Sequence, residues 1–213
     1  MSRDKISEAS KKLSWLLRHG ALSEGIPMDA AGWVPVERVL GALGLSRPEL
    51  ERVVLENNKS RLELVEDRIR ASQGHSLDGM PVTLEALEAS WELRAGNESI
   101  WHGTNVGAAA GIGREGILPG GRTHVHLAEA IDSRVGKRAE VHIMIEVSPE
   151  RLRAQGLHVY RSPNGVILCR RVPVDCIIGL LALSQAAKKS EATLRSELGL
   201  APGTQAAGDR CRA

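Results

Sequence analysis

Five histidines fall into two groups of short strings that mix imidazole, guanidinium, hydroxyl and glycine. The first group is Arg18-His19, then Arg61, then Gln73-Gly74-His75-Ser76. The second is His102-Gly103-Thr104, then Arg122-Thr123-His124-Val125-His126-Leu127, with Arg138 close behind. His142 lies nearby, and His158 stands apart from both groups. Arginine presents a planar fork that matches phosphate oxygens, and each charge-assisted bond is worth roughly 1.5–3 kcal/mol. Imidazole donates, accepts or carries a proton near neutral pH. Clustered this way, the two residue types point to anion binding and phosphate chemistry.

Taken singly, the strings also fit plainer readings. Arg18 and His19 at a helix end complement its dipole. Arg61 and Arg138 alone are solvated edge charges. Gln73-Gly74-His75-Ser76 fits a simple turn as well as a backbone approach at Gly74. His102 at a strand end is either a satisfied imidazole or, with Gly103 and Thr104, a contact for ribose hydroxyls. His124 and His126, two apart on a strand, share a face and could hold a metal, but no third ligand falls at the spacing of a metal site. There is no GxSxG, no Walker loop and no GxGxxG after a strand, so neither a hydrolase elbow nor the common nucleotide loops apply.

Composition narrows the partners. With four Trp, one Tyr and no Phe, a surface of interleaved stacking rings is not expected, and nucleic-acid contact must rest on phosphates and grooves. The net charge is +2. Residues 1–95 carry 13 Lys/Arg against 15 Asp/Glu, and the remainder carries 15 against 11, so neither part is a polybasic glove. Recognition by a few aimed cations follows, not by bulk counterion release. Cys169, Cys176 and Cys211 form no CxxC, which suits a reducing compartment. The N-terminus lacks an apolar signal core, and the longest apolar run, Ile177 to Leu183, is too short to span a bilayer. A cytoplasmic protein acting as a monomer is expected.

These side chains must be positioned by a mixed α+β chain of 213 residues. Ile6, Ala9, Leu13, Leu16 and Leu17 recur at helical spacing, with Gly20 as a natural C′ stop. Gly32 to Pro35 reads as extended, Val36 to Leu43 as a helix ending at Gly44. Ser46 and Glu49 form a capping box for a third helix through Asn57. Leu62, Leu64, Ile69 and Ala71 around Glu66-Asp67 predict a hairpin. Three helices and a terminal hairpin make the pattern of a winged helix. Pro81 to Arg94 is a helical connector. Strands follow at Ser99–His102, His124–Ala128, Val141–Val147, Leu157–Tyr160 and Val166–Arg170, with helices over Val106–Arg114 and Glu129–Val135. Asn164-Gly165 signals a hairpin turn. The expected organisation is therefore residues 1–95, residues 96–200 with a split β-sheet, and a disordered tail at 201–213.

In order along the chain, these strings resemble the RNA 2′-phosphotransferase family, the NAD-dependent tRNA-splicing 2′-phosphotransferases. The resemblance rests on Leu13-Ser14-Trp15-Leu16-Leu17-Arg18-His19, Gly32-Trp33-Val34-Pro35, Asn58-Lys59-Ser60-Arg61, Arg70-Ala71-Ser72-Gln73-Gly74-His75-Ser76, Trp101-His102-Gly103-Thr104, Gly121 to Leu127, Gly136-Lys137-Arg138 and Arg161 to Val166. It implies a winged-helix domain followed by an ADP-ribosyltransferase-like domain. It further implies that an internal RNA 2′-phosphate is transferred to NAD through a 2′-phospho-ADP-ribosylated RNA, leaving an RNA 2′-hydroxyl, ADP-ribose 1″,2″-cyclic phosphate and nicotinamide.

By the same resemblance, the catalytic set falls on Arg18, His19, Arg61 and Arg138. NAD, as co-substrate, falls to His102, Gly103, Thr104 and His126, with no metal. Gln73, His75, Ser76, Arg122 and His124 are further substrate contacts. A 2′-phosphate is already a nucleophile and needs orientation and charge neutralisation rather than a general base. Arginines would also stabilise the extra charge at a pentavalent phosphorus. An apolar residue near Val166 replaces the Glu of many protein-modifying relatives, which favours a phosphate acceptor. Trp101 and Ala128 depart from the family's more usual residues. Two other functions share the features: an ADP-ribosyltransferase that caps phosphorylated nucleic-acid ends, and an NAD-sensing winged-helix regulator.

Overall fold

The structure is a computed structural model that describes residues 3–57, 59–137 and 140–201. The chain divides into two compact units. The first is Met1–Glu92 with two short later pieces, Gly121–Thr123 and Ser162–Asn164; the second is the remainder.

In the first unit, helix α1 (Arg3–Trp15) buries Ile6 and Leu13, the apolar stripe expected from spacing. The helix runs on to Gly20, its last residue, through a π-helical turn at Leu16–Gly20, and the stop is not a left-handed cap, since Ala21 beyond it is right-handed. Gly20 is not among the left-handed glycines. Its lack of a side chain serves another purpose, since a Cβ there would meet the Trp15 ring at 2.4–2.9 Å. A π turn carries an extra residue per turn and is found most often where side chains must be re-aimed for function.

Strand β1 (Val34–Pro35) leads into α2 (Val36–Leu43), which ends on left-handed Gly44 as anticipated. Helix α3 (Arg47–Leu55) follows. Ser46 and Glu49 form the expected capping box at its start, with Glu49 accepting from the Ser46 backbone N–H at 3.0 Å. Strands β2 (Leu62–Val65) and β3 (Arg68–Ala71) make the hairpin, and the antiparallel sheet runs β1-β3-β2. Leu13, Leu17, Val34, Val39, Leu50, Val53 and Ile69 form its fully buried core. The connector is helical only over α4 (Leu84–Ala89), where Thr83 caps the Ala86 N–H. The chain then becomes strand β4 (Glu92–Leu93).

The second unit holds two antiparallel sheets. Strands β5 (Ile100–Thr104), β7 (Ile143–Val147) and β10 (Ile177–Ala182) lie in the order β10-β7-β5. With β6 (Val125–Leu127), β8 (Tyr160–Arg161) and β9 (Ile167–Cys169), the other sheet runs β4-β8-β9-β6. Trp101 and Ala128 exchange backbone hydrogen bonds of 2.9 and 2.7 Å and join β5 to the end of β6. The apolar run that is too short for a membrane is thus strand β10, and no helix among the described residues is long and apolar enough to cross one.

Helix α5 (Ala109–Glu115) follows a 3₁₀ turn. Its Gly113 admits α8 (Glu191–Glu197), since a Cβ there would stand 1.7 Å from the Glu197 carbonyl oxygen. Helices α6 (Pro149–Ala154) and α7 (Gln185–Lys189) complete the unit. Glu129–Val135, expected as a helix, is a run of turns. Ser133 explains this locally: its hydroxyl accepts from the Ala130 N–H while its own N–H closes back on the Ala130 carbonyl, a short-range alternative to a helical ladder. The fold class is α+β with small split sheets.

Candidate active site

In the first unit, Ser76 is a junction. Its N–H donates to the Arg18 carbonyl at 2.9 Å, and its hydroxyl meets His19 Nδ1 at 2.7 Å. On the other side it bridges Arg122, with Thr123 N–H donating to the His75 carbonyl and Leu77 N–H to the Gly121 carbonyl. The widened turn after α1, the Gln73–Ser76 string and the Arg122 segment are therefore tied to one another through the backbone.

Arg61 is held by its own frame. Its N–H donates to Asn57 Oδ1 at 3.0 Å, while Asn57 Nδ2 donates to Ser10 Oγ on α1 at 3.0 Å. The Arg61 carbonyl accepts from Ser72 N–H, and the Ser72 hydroxyl donates to Ser60, whose φ of 45° is left-handed. Asn164 Nδ2 donates to the Lys59 carbonyl at 3.0 Å, and Ser162 Oγ lies 2.9 Å from Asn164 Oδ1. Asn57, not expected as a site residue, and Asn164, expected only as a turn signal, are thus positioning residues; asparagine is the residue type that bonds nearby backbone.

The electrostatics of this cluster are unfavourable by construction. Burial, then Arg61, then Arg122 bring the Arg18 guanidinium well down from its ordinary value, to about 10. Its Nε and Nη2 are enclosed and bond to nothing in the protein. Burial, Arg18 and Arg122 likewise lower the His19 imidazole below its ordinary value, so it is neutral near pH 7. Arg70 shows the contrast. It is more deeply buried than Arg18, but Glu63 takes its Nε and Nη2 at 3.1 and 3.0 Å and Trp33 lies under its guanidinium. Arg70 is a structural cation, whereas Arg18 is a buried cation among cations. Two arginines and a neutral imidazole beside Arg18 suit an anion of more than one charge.

Gln73 is 6% exposed, and its Oε1 is enclosed without a hydrogen-bond partner. His75 is fully buried and packs against Gly32, whose Cβ position would lie 2.7 Å from His75 Nε2. Among the expected contacts, then, Ser76 and Arg122 join Arg18 and His19 directly. Gln73 and His75 line the frame behind them.

In the second unit, His102 on β5 places Nδ1 3.2 Å from the His126 carbonyl on β6. A carbonyl only accepts, so Nδ1 carries the proton of this bond. Gly103 does not leave room for a ligand as expected: a Cβ there would come within 2.9–3.2 Å of Val141, Lys137 and Met144, so its open face is filled by the unit's own side chains. Thr104 is buried, and its carbonyl accepts from His142 N–H. His124 is buried just ahead of β6, and His126 is half-buried within it. No group of three or more His, Cys, Asp or Glu close enough to hold a metal occurs among the described residues. Arg138 lies outside the described residues.

The model of the "RNA 2′-phosphotransferase, Tpt1 / KptA family" matches residues 4–171. A probable RNA 2′-phosphotransferase of Pseudomonas fluorescens is 35% identical over 189 residues, covering 84% of this chain and all of that protein. Those of Rhizobium johnstonii (34% identical, 79% of this chain, 91% of the relative) and Acaryochloris marina (32%, 81% and 96%) are similar. With the arginine–histidine cluster falling inside the matched span, the chain belongs to the RNA 2′-phosphotransferase, Tpt1/KptA, family.

Proposed function

We propose that this protein removes an internal 2′-phosphate from RNA, of the tRNA splice-junction type, with NAD as the acceptor. The observation that carries this reading is Arg18: a guanidinium destabilised by burial and by two other arginines, with Nε and Nη2 left for a ligand. A phosphate dianion among these cations would offset those influences by attraction to all of them. The relatives' names supply the chemical identity of that phosphate.

In this reading Arg18 and Arg61 bind and orient the phosphate oxygens, with Arg138 as the third cation of the set. Their charge neutralises the nucleophile and then takes up the additional charge as phosphorus becomes five-coordinate. His19, neutral when the site is empty of anion, becomes protonated more readily beside a dianion and can hand that proton to the departing RNA oxygen. The 2.7 Å contact to Ser76 fixes its ring.

For NAD, the donor set fits. His102, oriented by its Nδ1 contact to the His126 carbonyl, suits a ribose hydroxyl, and His126 and Thr104 complete the contacts. Bound there, NAD supplies a sugar carbon from which nicotinamide can leave. The products are RNA 2′-hydroxyl, ADP-ribose 1″,2″-cyclic phosphate and nicotinamide. The same reading makes residues 1–95 a winged-helix domain and residues 96–200 an ADP-ribosyltransferase-like domain, acting as a cytoplasmic monomer without metal.

The test is incubation with NAD and a short RNA bearing one internal 2′-phosphate, without divalent metal, following both products. Loss of the 2′-phosphate together with formation of the cyclic phosphate is the expected result. RNA that stalls with ADP-ribose attached would instead indicate a capping enzyme. Absence of reaction with retained NAD binding would sink the enzymatic reading for this substrate.

A further inference from the structure

The four tryptophans have very different surroundings. Trp101 is 4% exposed and bonded into the sheet, and Trp91 is 7% exposed with its Nε1 donating to the Ser72 carbonyl. Trp33 is covered by Arg68 and Arg70, whose guanidinium carbons stand 5.1 and 4.5 Å from its ring. Trp15 differs: it is 49% exposed. It is also three residues from Arg18 and four from His19, at the start of the widened turn that presents them. Its six-membered ring lies over the backbone of Gly20, the residue next to His19, at a separation that a Cβ would violate. An open indole, clamped on one face and standing beside a cationic cluster, is not explained by packing alone, because burial would have been the favourable fate of so large an apolar surface.

We propose that Trp15 is a stacking platform for a nucleobase next to the 2′-phosphate, and so a specificity-determining residue for RNA. This rests on the function proposed above. The chemistry is complementary. The arginines take the phosphate but cannot distinguish a 2′-phosphate within RNA from a free phosphomonoester. A base stacked on an aromatic face adds affinity for the nucleotide that carries it, without reading its identity. One ring beside the anion site is consistent with the poverty of aromatics elsewhere. It makes a single contact, not an extended stacking surface.

The experiment compares wild type, Trp15→Ala and Trp15→Phe on two 2′-phosphorylated oligonucleotides: one intact, one with the bases flanking the phosphate removed. For the intact substrate, Trp15→Ala should raise KM for RNA on the order of 10-fold or more, with kcat and the KM for NAD near wild type, and Trp15→Phe should restore most of the loss. Base removal should raise KM for wild type by a similar factor and leave Trp15→Ala nearly unaffected, since each change deletes the same stack. Equal sensitivity to base removal in wild type and Trp15→Ala would overturn the proposal. So would a fall in kcat and Tm with unchanged KM, which would make Trp15 a structural support for the Arg18 turn. Failure of wild type to remove the phosphate from the intact RNA would instead strike the functional reading itself, and the stacking role with it.

Discussion

Replacing Arg18 with Met should make the protein more stable and inactive at the same time. The guanidinium is brought well below its ordinary value, to about 10, by burial, Arg61 and Arg122. At about 1.4 kcal/mol per pH unit, this amounts to about 3 kcal/mol against the charged form. Arg18 retains partial solvent access, and screening reduces that to about 1–2 kcal/mol. Little is lost in exchange, because Nε and Nη2 make no bond within the protein and Met keeps the apolar stem. The sign holds at any working pH: a base with a lowered folded-state pKa carries its penalty at every pH below that value, here about 10. The expected outcome is a rise in Tm of about 2–8 °C, measured by calorimetry at low salt, with the gain shrinking as salt is added. Turnover of 2′-phosphorylated RNA should fall 100-fold or more, the scale of losing a bidentate cation aimed at a reacting phosphate. A Tm that drops by several degrees would show that Arg18 holds the fold, and the argument from cation frustration would be refuted.

Other outcomes follow from the same geometry. His19 titrates below its ordinary 6.5 because of burial, Arg18 and Arg122, so its imidazole resonances should shift upward in pKa when a 2′-phosphorylated oligonucleotide binds; no movement would place the anion elsewhere. Because that folded value lies below the unfolded one, His19 removes stability as pH falls through about 6.5, and His19→Gln should flatten the decline in Tm between pH 7 and 5. Asn57→Ala deletes the bonds to Arg61 N–H and Ser10 Oγ and should cost about 1–3 kcal/mol by denaturant titration, with a loss in kcat beyond any loss in folded fraction. Gly113→Ala should lower Tm, since the Glu197 carbonyl cannot yield 1.7 Å without moving α8; an unchanged melting curve would contradict that packing.

Much of this organisation was legible because it depends on short-range patterns. The helical stripe of Ile6 and Leu13, the left-handed stop at Gly44 and the Glu66-Asp67 hairpin were each set by a few neighbouring residues. The errors arose where distant contacts decide. Gly20 does end the helix, but its lack of a side chain also answers to the Trp15 ring, and nothing within a residue or two reveals the π turn. The face of Gly103 was read as space for a ligand, yet Val141, Lys137 and Met144 fill it. Glu129–Val135 has helical composition, but Ser133 folds back on Ala130. At the site, residue types announced phosphate chemistry. What the chain order could not show was that Ser76 joins Arg18, His19 and Arg122, or that Asn57 and Asn164 brace the loop bearing Arg61.

The discontinuity of the first unit has a consequence for dissecting the protein. Its body is Met1–Glu92, but Gly121–Thr123 and Ser162–Asn164 belong to it as well. A fragment cut at residue 92 would keep Arg18, His19 and Arg61 yet lack the Arg122 strand that pairs with Ser76 and the Asn164 amide that holds Lys59. Domain swaps between relatives, or truncations designed at the apparent boundary, would therefore deliver a piece that is nearly complete by length and deficient by chemistry. The first unit is therefore one packing body made of three stretches of chain, not one contiguous segment.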